Sequence, residues 1–185
     1  MPQETYAVEV AGVKRELRLF EVKPGIKIAI LNILGDAEFV NASSKALAKK
    51  LKDKAIDILV TAEAKSIPLA HALSTDMKIP YAVLRKSYKP YMGEALQSET
   101  LSITTGKSQT LFLDEKDRIM VDGKRIALLD DVISTGSTLQ GMRLIMNKAG
   151  ANIVVEAAIF TEGDRAQWHD IFALGHLPVW IDNKK

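Results

Sequence analysis

Apolar and polar residues alternate through Thr5 to Ala11 and again through Lys14 to Val22, with Gly12 between the two runs. A period of two sends successive side chains to opposite faces of a strand, so the pair predicts a β-hairpin at the edge of the fold. Beyond Lys23-Pro24-Gly25 the apolar run Ile26 to Leu34 is strand-like. Asp36 then stands where an N-cap belongs, ahead of Phe39, Ala42, Ala46, Leu47 and Leu51 at helical spacing. Lys45, Lys49, Lys50, Lys52 and Lys54 surround that helix. No aromatic residues interleave with them, so they read as a solvated face.

Ile56 to Val60 is a short apolar strand, followed by the small-residue turn TAEAKS, an apolar helix from Ile67 to Met77 and a strand from Pro80 to Leu84. Strand, helix and strand with short links predict a parallel sheet joined by right-handed crossovers. Lys86 to Gln97 is polar, carries Pro90 and Gly93, and reads as a loop. ETLSITT and QTLFLDE flank Gly106-Lys107 as a second hairpin, and Asp122-Gly123 marks a turn before a strand from Arg125 to Leu129.

From Ser137 the positions Leu139, Met142, Ile145, Met146 and Ala149 form one apolar helical stripe, stopped by Gly150. Ile153 to Phe160 predicts a strand, Asp164 to Leu174 a helix, and Leu177 to Ile181 a closing strand. The succession is that of an α/β fold, a mostly parallel twisted sheet flanked by helices. There is no internal repeat, low-complexity tract or interdomain linker.

Composition narrows the class of function. A chain of 185 residues with 47% apolar content buries roughly 70% of its unfolded surface, enough for one sizeable core. Lys and Arg total 25 against 23 acids, and a net charge of +2 does not by itself imply a nucleic-acid or membrane partner. Any basic site is therefore local. Cysteine is absent, which excludes disulfides and thiolate metal sites. MPQETYAVEV has no basic segment leading into an apolar core, and no window approaches the roughly 18 apolar residues of a membrane span. The expected location is the cytoplasm.

Chemistry concentrates in Arg125 to Gln140, RIALLDDVISTGSTLQ, where an apolar strand runs into two acids and then a turn of hydroxyls around a glycine. Ligands of open α/β sheets settle outside the carboxyl ends of the strands. The unpaired N-H groups of a first helical turn, with the hydroxyls of Ser134, Thr135, Ser137 and Thr138 and the close approach allowed by Gly136, suit a phosphate monoester. Asp130 and Asp131 would repel that phosphate, so they need a partner presenting hydroxyls or a hydrated metal, as a ribose does. A strand end and a helix cap account for one acid and one hydroxyl, and leave the remainder without a purpose. A Walker-type loop does not fit either, because Gly123-Lys124 is followed by Arg125 and precedes its strand. His71, His169 and His176 are widely spaced, with no acid or cysteine at ligand spacing; His71, within an apolar helix, reads as structural.

LLDDVISTGST resembles the signature of the type I phosphoribosyltransferases, and the resemblance runs from about Lys23 to Trp180. It implies that fold with a small hood and a β-hairpin flexible loop: a single domain over residues 1–185, with an N-terminal hairpin and hood at 1–35, a core at 36–160 and a C-terminal hood segment at 161–185. It implies that Asp130 and Asp131 hold the ribose 2′ and 3′ hydroxyls, and that Ser134, Thr135, Gly136, Ser137 and Thr138 hold the 5′-phosphate of phosphoribosyl pyrophosphate. Thr61 to Ser66 is similar to the family's pyrophosphate loop, giving Ala64, Lys65 and Ser66 as contacts. Its Glu-Ala-Lys-Ser lies between the Glu-Ser-Arg-Gly of adenine enzymes and the Glu-Ala-Ser-Gly of xanthine enzymes. LRKSYKPYMGE resembles the purine enzymes' Arg-Lys segment, so Arg85, Lys86 and Lys89 would grip the leaving diphosphate and Glu94 would assist the base, while Tyr88 and Tyr91 would shield the reacting centre.

By the same resemblance the base lies against Leu31 to Gly35 and the turn after Phe160, where Glu162 would suit a donor-rich base edge. Magnesium is the implied cofactor, carried by the substrate and reaching Asp130 and Asp131 through hydroxyls or water, with no direct protein ligand. The implied activity is that of a pentosyltransferase in purine salvage acting as a homodimer, with adenine first and xanthine or guanine second; orotate fits the loops less well. A non-catalytic sensor of phosphoribosyl pyrophosphate is the alternative from another class. The hairpin before Pro24 is too short for a winged helix, which disfavours it.

Overall fold

The computed structural model describes residues 4–101 and 108–182. Strands β1 (Thr5–Val10), β2 (Val13–Lys23) and β3 (Ile26–Ile30) form an antiparallel ribbon, with Leu19 opposite Ala29 and Arg18 opposite Ile30. The anticipated third strand is shorter than its apolar run: pairing stops at Ile30, and Leu31 and Ile33 stay buried in irregular backbone while Leu34 faces solvent.

Helix α1 (Ala37–Leu51) starts where Asp36 accepts the Phe39 amide at 3.1 Å. Arg15 from β2 holds the same carboxylate through two bonds of 2.7 and 2.8 Å, which pins the ribbon to the helix and keeps Asp36 below its ordinary carboxylate range. Strand β4 (Ile58–Ala62), helix α2 (Ile67–Met77) and strand β5 (Tyr81–Leu84) follow as the pattern predicts. A short 3-10 turn at Pro90–Met92 interrupts the polar loop, and β6 (Leu96–Leu101) pairs with β7 (Ser108–Leu113) as a two-stranded hairpin. Gly106-Lys107, the expected hairpin turn, lies outside the described residues.

Asp114 caps a helix that the pattern did not suggest, α3 (Glu115–Val121), by accepting the Lys116 amide. Strand β8 (Arg125–Ile133) continues past Leu129 through both acids, because its pairing with β9 (Asn152–Glu162) runs on to Ile133 opposite Thr161. Helix α4 (Ser137–Lys148) lies between them.

The expected helix over Asp164 to Leu174 is not formed. A 3-10 turn at Arg165–Trp168 leads instead into strand β10 (Phe172–Leu177), which pairs in parallel with β9. The apolar spacing there fits either state, and the open edge of β9 supplies hydrogen bonds that decide for the strand. Pro178 has no N-H to continue a ladder, and the chain crosses to the other sheet as β11 (Val179–Ile181), antiparallel to β3.

The central sheet is wholly parallel, in the order β10-β9-β8-β4-β5. Leu59, Ala127, Leu129, Val155 and Ile159 face α1, α2 and the N-terminal sheet; Ile58, Val60, Ile126, Leu128 and Ala158 face α4 and the β6–β7 hairpin. Burial on both faces explains why these strands read as continuous apolar runs. No helix among the described residues is long and apolar enough to cross a membrane.

Phe160 is 3% exposed and stacks on Phe39 with centroids 6.5 Å apart. Its ring lies over Gly175, its partner on β10, where an added Cβ would meet ring carbons at 2.7 and 2.9 Å. Gly175→Ala should therefore overpack this layer by about 1–3 kcal/mol, and a chain of this length loses roughly 2–4 °C of Tm per kcal/mol. Thermal denaturation of the variant checks this; an unchanged Tm would mean that the ring moves aside freely.

Candidate active site

The carboxyl ends of β4 and β8, neighbours in the sheet, bring two turns together. The Ser66 hydroxyl, at the N-cap of α2, donates to Asp130 Oδ1 at 2.7 Å, lies 3.3 Å from Asp131 Oδ1, and accepts the Asp131 amide at 2.9 Å. The Asp131 amide also reaches Asp130 Oδ1 at 2.9 Å. Lys65 Nζ is 4.0 Å from Asp131 Oδ2 and donates to the Leu31 carbonyl at 3.2 Å, linking this turn to the segment after β3.

Asp131 is 8% exposed. Burial, and then the adjacent Asp131 charge, push the Asp130 carboxyl up to about 7 against an ordinary 3.8. Such a group sits at the balance between charged and neutral forms near physiological pH, a mark of functional carboxylates.

Past Ile133 the chain turns through Ser134, Thr135 and Gly136. Gly136 has φ of 74° and, as N-cap of α4, supplies no capping side chain, while the Ser137 amide reaches the Thr135 hydroxyl at a long 3.5 Å. Thr135 and Ser137 hydroxyls lie 3.2 Å apart. The turn encloses a cleft of about 90 Å³ lined by Asp130, Ser134, Thr135, Gly136, Ser137 and Thr138. A second cleft, of about 210 Å³, is lined by Ala64, Lys65, Ser66, Lys86, Asp131 and again Asp130 and Thr138. The two share a wall, so a ligand with an anion at each end and hydroxyls between fits across them.

Of the residues singled out in the sequence, Arg85, Lys89 and Glu94 line neither cleft. Arg85 is one contact away: its Nε donates to Glu63 Oε2 at 2.6 Å, and the Lys86 amide donates to Glu63 Oε1 at 2.6 Å. Burial works against the Glu63 charge, but these bonds win and hold its carboxyl below the usual range. Glu63 was missed as a site residue. Its signal was an acid within the small-residue turn, but its partners Arg85 and Lys86 lie 22 and 23 positions on, and only the fold brings them together.

Glu94 is exposed, its amide bonded to Glu115 at 3.1 Å. Tyr88 packs on Phe112, and Tyr91 is 72% exposed. The Glu162 carboxyl accepts the Ser134 hydroxyl and is buried. His176 bridges Thr161 and the Gly163 carbonyl at 2.9 and 3.0 Å, a structural role.

Among the described residues no three His, Cys, Asp or Glu side chains converge to hold a metal. Two adjacent carboxylates without further ligands fit a hydrated divalent cation that substrate oxygens carry and that reaches the acids through water or hydroxyls, as suits magnesium.

The phosphoribosyl transferase domain family matches residues 31–172. Among curated proteins, the purine biosynthesis transcriptional repressor PurR of Bacillus subtilis is 28% identical over 74% of this chain and 49% of its own length. A hypoxanthine/guanine phosphoribosyltransferase of Methanococcus voltae is 38% identical over 60% of this chain and 56% of that protein. An adenine phosphoribosyltransferase of Clostridium botulinum is 32% identical over 77% of this chain and 81% of that protein. The matches thus span about half the length of the first two relatives. In three dimensions, adenine phosphoribosyltransferase from Thermoanaerobacter pseudethanolicus superposes with a TM-score of 0.72 at 22% identity, covering 86% of this chain and 95% of that one, a likeness of fold. With the parallel sheet and the acid pair running into a hydroxyl turn already in place, the match over residues 31–172 settles the family: the chain belongs to the type I phosphoribosyltransferases.

Proposed function

We propose that the protein is a purine phosphoribosyltransferase. It transfers the 5-phosphoribosyl group of phosphoribosyl pyrophosphate to a purine base, adenine first, giving a nucleoside monophosphate and pyrophosphate. The observation that carries this reading is the pair of clefts joined at Asp130, one ending at an uncapped helix start and the other at Lys65 and Lys86. The 5′-phosphate takes the Ser134 to Thr138 turn, and Asp130 and Asp131 accept the ribose hydroxyls. The diphosphate lies against Ala64, Lys65, Ser66 and Lys86, with Arg85 and Lys89 joining from the loop.

The reaction asks little covalent chemistry of the protein. Cleavage of the bond from C1′ to diphosphate leaves positive character on the ribose and negative charge on the leaving group. Magnesium, when bound with the substrate at Asp130 and Asp131, supplies neutralisation of that negative charge. Lys65 and Lys86 add fixed positive charge on the diphosphate side. The carboxyl groups of Asp130 and Asp131 face the ring whose charge is growing and hold it in register for the base, which attacks C1′ from the side of Leu31 to Gly35. Glu94 takes part in proton removal from the base if its loop closes over the site. A cytoplasmic location and a homodimer complete the proposal.

The 28% identity to the repressor favours a second reading, a sensor that binds phosphoribosyl pyrophosphate without turning it over. Pyrophosphate release, measured with magnesium, phosphoribosyl pyrophosphate and each of adenine, guanine, hypoxanthine, xanthine and orotate, separates the two. Release with one base names the substrate. No release with any of them, alongside calorimetric binding of phosphoribosyl pyrophosphate, selects the sensor.

Replacing both Asp130 and Asp131 with Asn should reduce turnover by roughly two to three orders of magnitude with the fold retained. Near-normal turnover in that variant would sink the ribose assignment.

Asp130 also fixes a pH dependence. Its carboxyl titrates near 7 in the folded chain and near 3.8 when unfolded, so the native state binds the extra proton between those values. Its contribution to stability is greatest below the lower value and declines as pH rises through about 7. Asp130→Asn keeps an acceptor for Ser66 and the Asp131 amide, so its Tm relative to wild type should increase from pH 5 to pH 8. A difference between the two that stays flat over that interval would count against the shift.

Light scattering should give a mass near twice 20.4 kDa. A particle of the single-chain mass at working concentration would remove the homodimer from the proposal.

A further inference from the structure

Strand β9 ends in a buried acid that the proposed reaction does not consume. Glu162 is 4% exposed, and its carboxyl accepts the hydroxyl of Ser134, the first residue of the phosphate turn. Its backbone carbonyl accepts the indole N-H of Trp168 at 2.9 Å. Trp168 in turn lies against Gly136: a Cβ built there would meet its Cη2 at 2.8 Å. One residue therefore touches both sides of Thr135, reaching Ser134 through its side chain and Gly136 through Trp168.

A hydroxyl has a single proton to donate, and that of Ser134 is directed to Glu162. The side-chain donors left to a phosphate are Thr138 and one of the Thr135 and Ser137 hydroxyls, which share a hydrogen bond at 3.2 Å. Glu162 is of no use as a phosphate ligand, because a carboxylate repels a dianion. Burial pushes its carboxyl up, toward the neutral form, which lessens that repulsion; the Ser134 bond opposes the shift. The turn itself is made of small residues around a left-handed glycine, and such a segment loses much conformational freedom when it orders around a ligand. Fixing both flanks beforehand removes part of that cost from binding.

We infer that Glu162 and Trp168 are positioning residues for the 5′-phosphate turn: the Glu162 carboxyl sets Ser134, the Trp168 indole sets Gly136, and the segment between is held ready for a phosphate monoester. The inference rests on the proposed function, since it assigns the monoester to this turn and the diphosphate to the other. Neither residue touches the reacting atoms.

The test is calorimetric titration of the intact chain with ribose 5-phosphate and, separately, with magnesium pyrophosphate. Glu162→Ala should weaken ribose 5-phosphate binding about tenfold, the loss typical of a hydrogen bond to a charged or buried acceptor. Glu162→Gln keeps an acceptor oxygen and should recover most of that affinity, and Trp168→Phe should fall between. Pyrophosphate binding should be unchanged in all three, because its turn lies on β4. An unaltered ribose 5-phosphate affinity in Glu162→Ala overturns the inference, and so does equal loss of both ligands, which marks general damage. Should Glu162→Ala fail to fold, Trp168→Phe decides alone, and wild-type affinity there refutes the brace. Wild-type protein that binds neither ligand fails at the earlier step and takes the proposed function down with it.

Discussion

Two carboxylates on consecutive residues of one strand cannot both be charged and buried without a cost. Asp130 and Asp131 meet that cost in part through Ser66, a single hydroxyl that donates to one acid and accepts the amide of the other, and through the Lys65 ammonium 4.0 Å from Asp131. The remainder is left standing in the free protein, and it appears as the raised Asp130 titration. On the proposed function, the hydroxyl donors and the cation that arrive with the substrate would relieve it. The acids are therefore not an isolated motif: Lys65 and Ser66 belong to a different strand and loop, and the pair functions only where those reach it.

The parallel sheet is what makes that reach possible. With β4 beside β8, Leu129 lies opposite Thr61, and the turns that follow open on the same edge. Thr61 donates its hydroxyl to the Leu129 carbonyl at 2.8 Å, locking the two strands one step before the chemistry begins. From there the two turns diverge in character. One offers bare helix amides and hydroxyls, the other ammonium groups and an acid, Glu63, that holds Arg85 and the Lys86 backbone. Arg85, half neutralised by Glu63, exerts less field on a diphosphate than a free guanidinium would, whereas Lys86 lines the cleft.

What could be read in the sequence follows the range of the forces involved. The acids, the hydroxyl turn and the capping by Asp36 are local in the chain, and the bounds of α2 were read without error. The segment after Asp164 was misread because its strand is induced by the open edge of β9, whose paired residues lie fifteen positions earlier and which its own spacing does not announce. Glu162 was noticed for its charge and assigned to the base, but its partner Ser134 lies 28 positions earlier, and nothing in either neighbourhood names the other. Helix α3 is only seven residues long, too short for its period to stand out, although Asp114 supplied its cap.

The same distinction explains why the reaction is easier to read than the base. The family match covers residues 31–172, which takes in β4, β5, β8 and β9 of the central sheet and stops at the first residue of β10, while leaving out β1, β2, β3 and β11, the whole of the N-terminal sheet. Ribose, phosphate and diphosphate are the same in every member of such a family, so the residues that hold them are constrained to acids, hydroxyls, amides and cations at fixed places. A purine is told from another purine by a few ring-edge donors and acceptors, which a backbone-lined wall can satisfy with many side-chain sequences. In the proposed arrangement that wall would begin at Leu31, whose carbonyl accepts Lys65. On the proposed function the base and the diphosphate turn would be coupled through one lysine, whose ammonium lies 4.0 Å from Asp131 and whose hydrogen bond holds the Leu31 carbonyl. A catalyst gains from that coupling because correct seating of the base sharpens the charge around the leaving group, whereas a sensor needs only the anion-binding half.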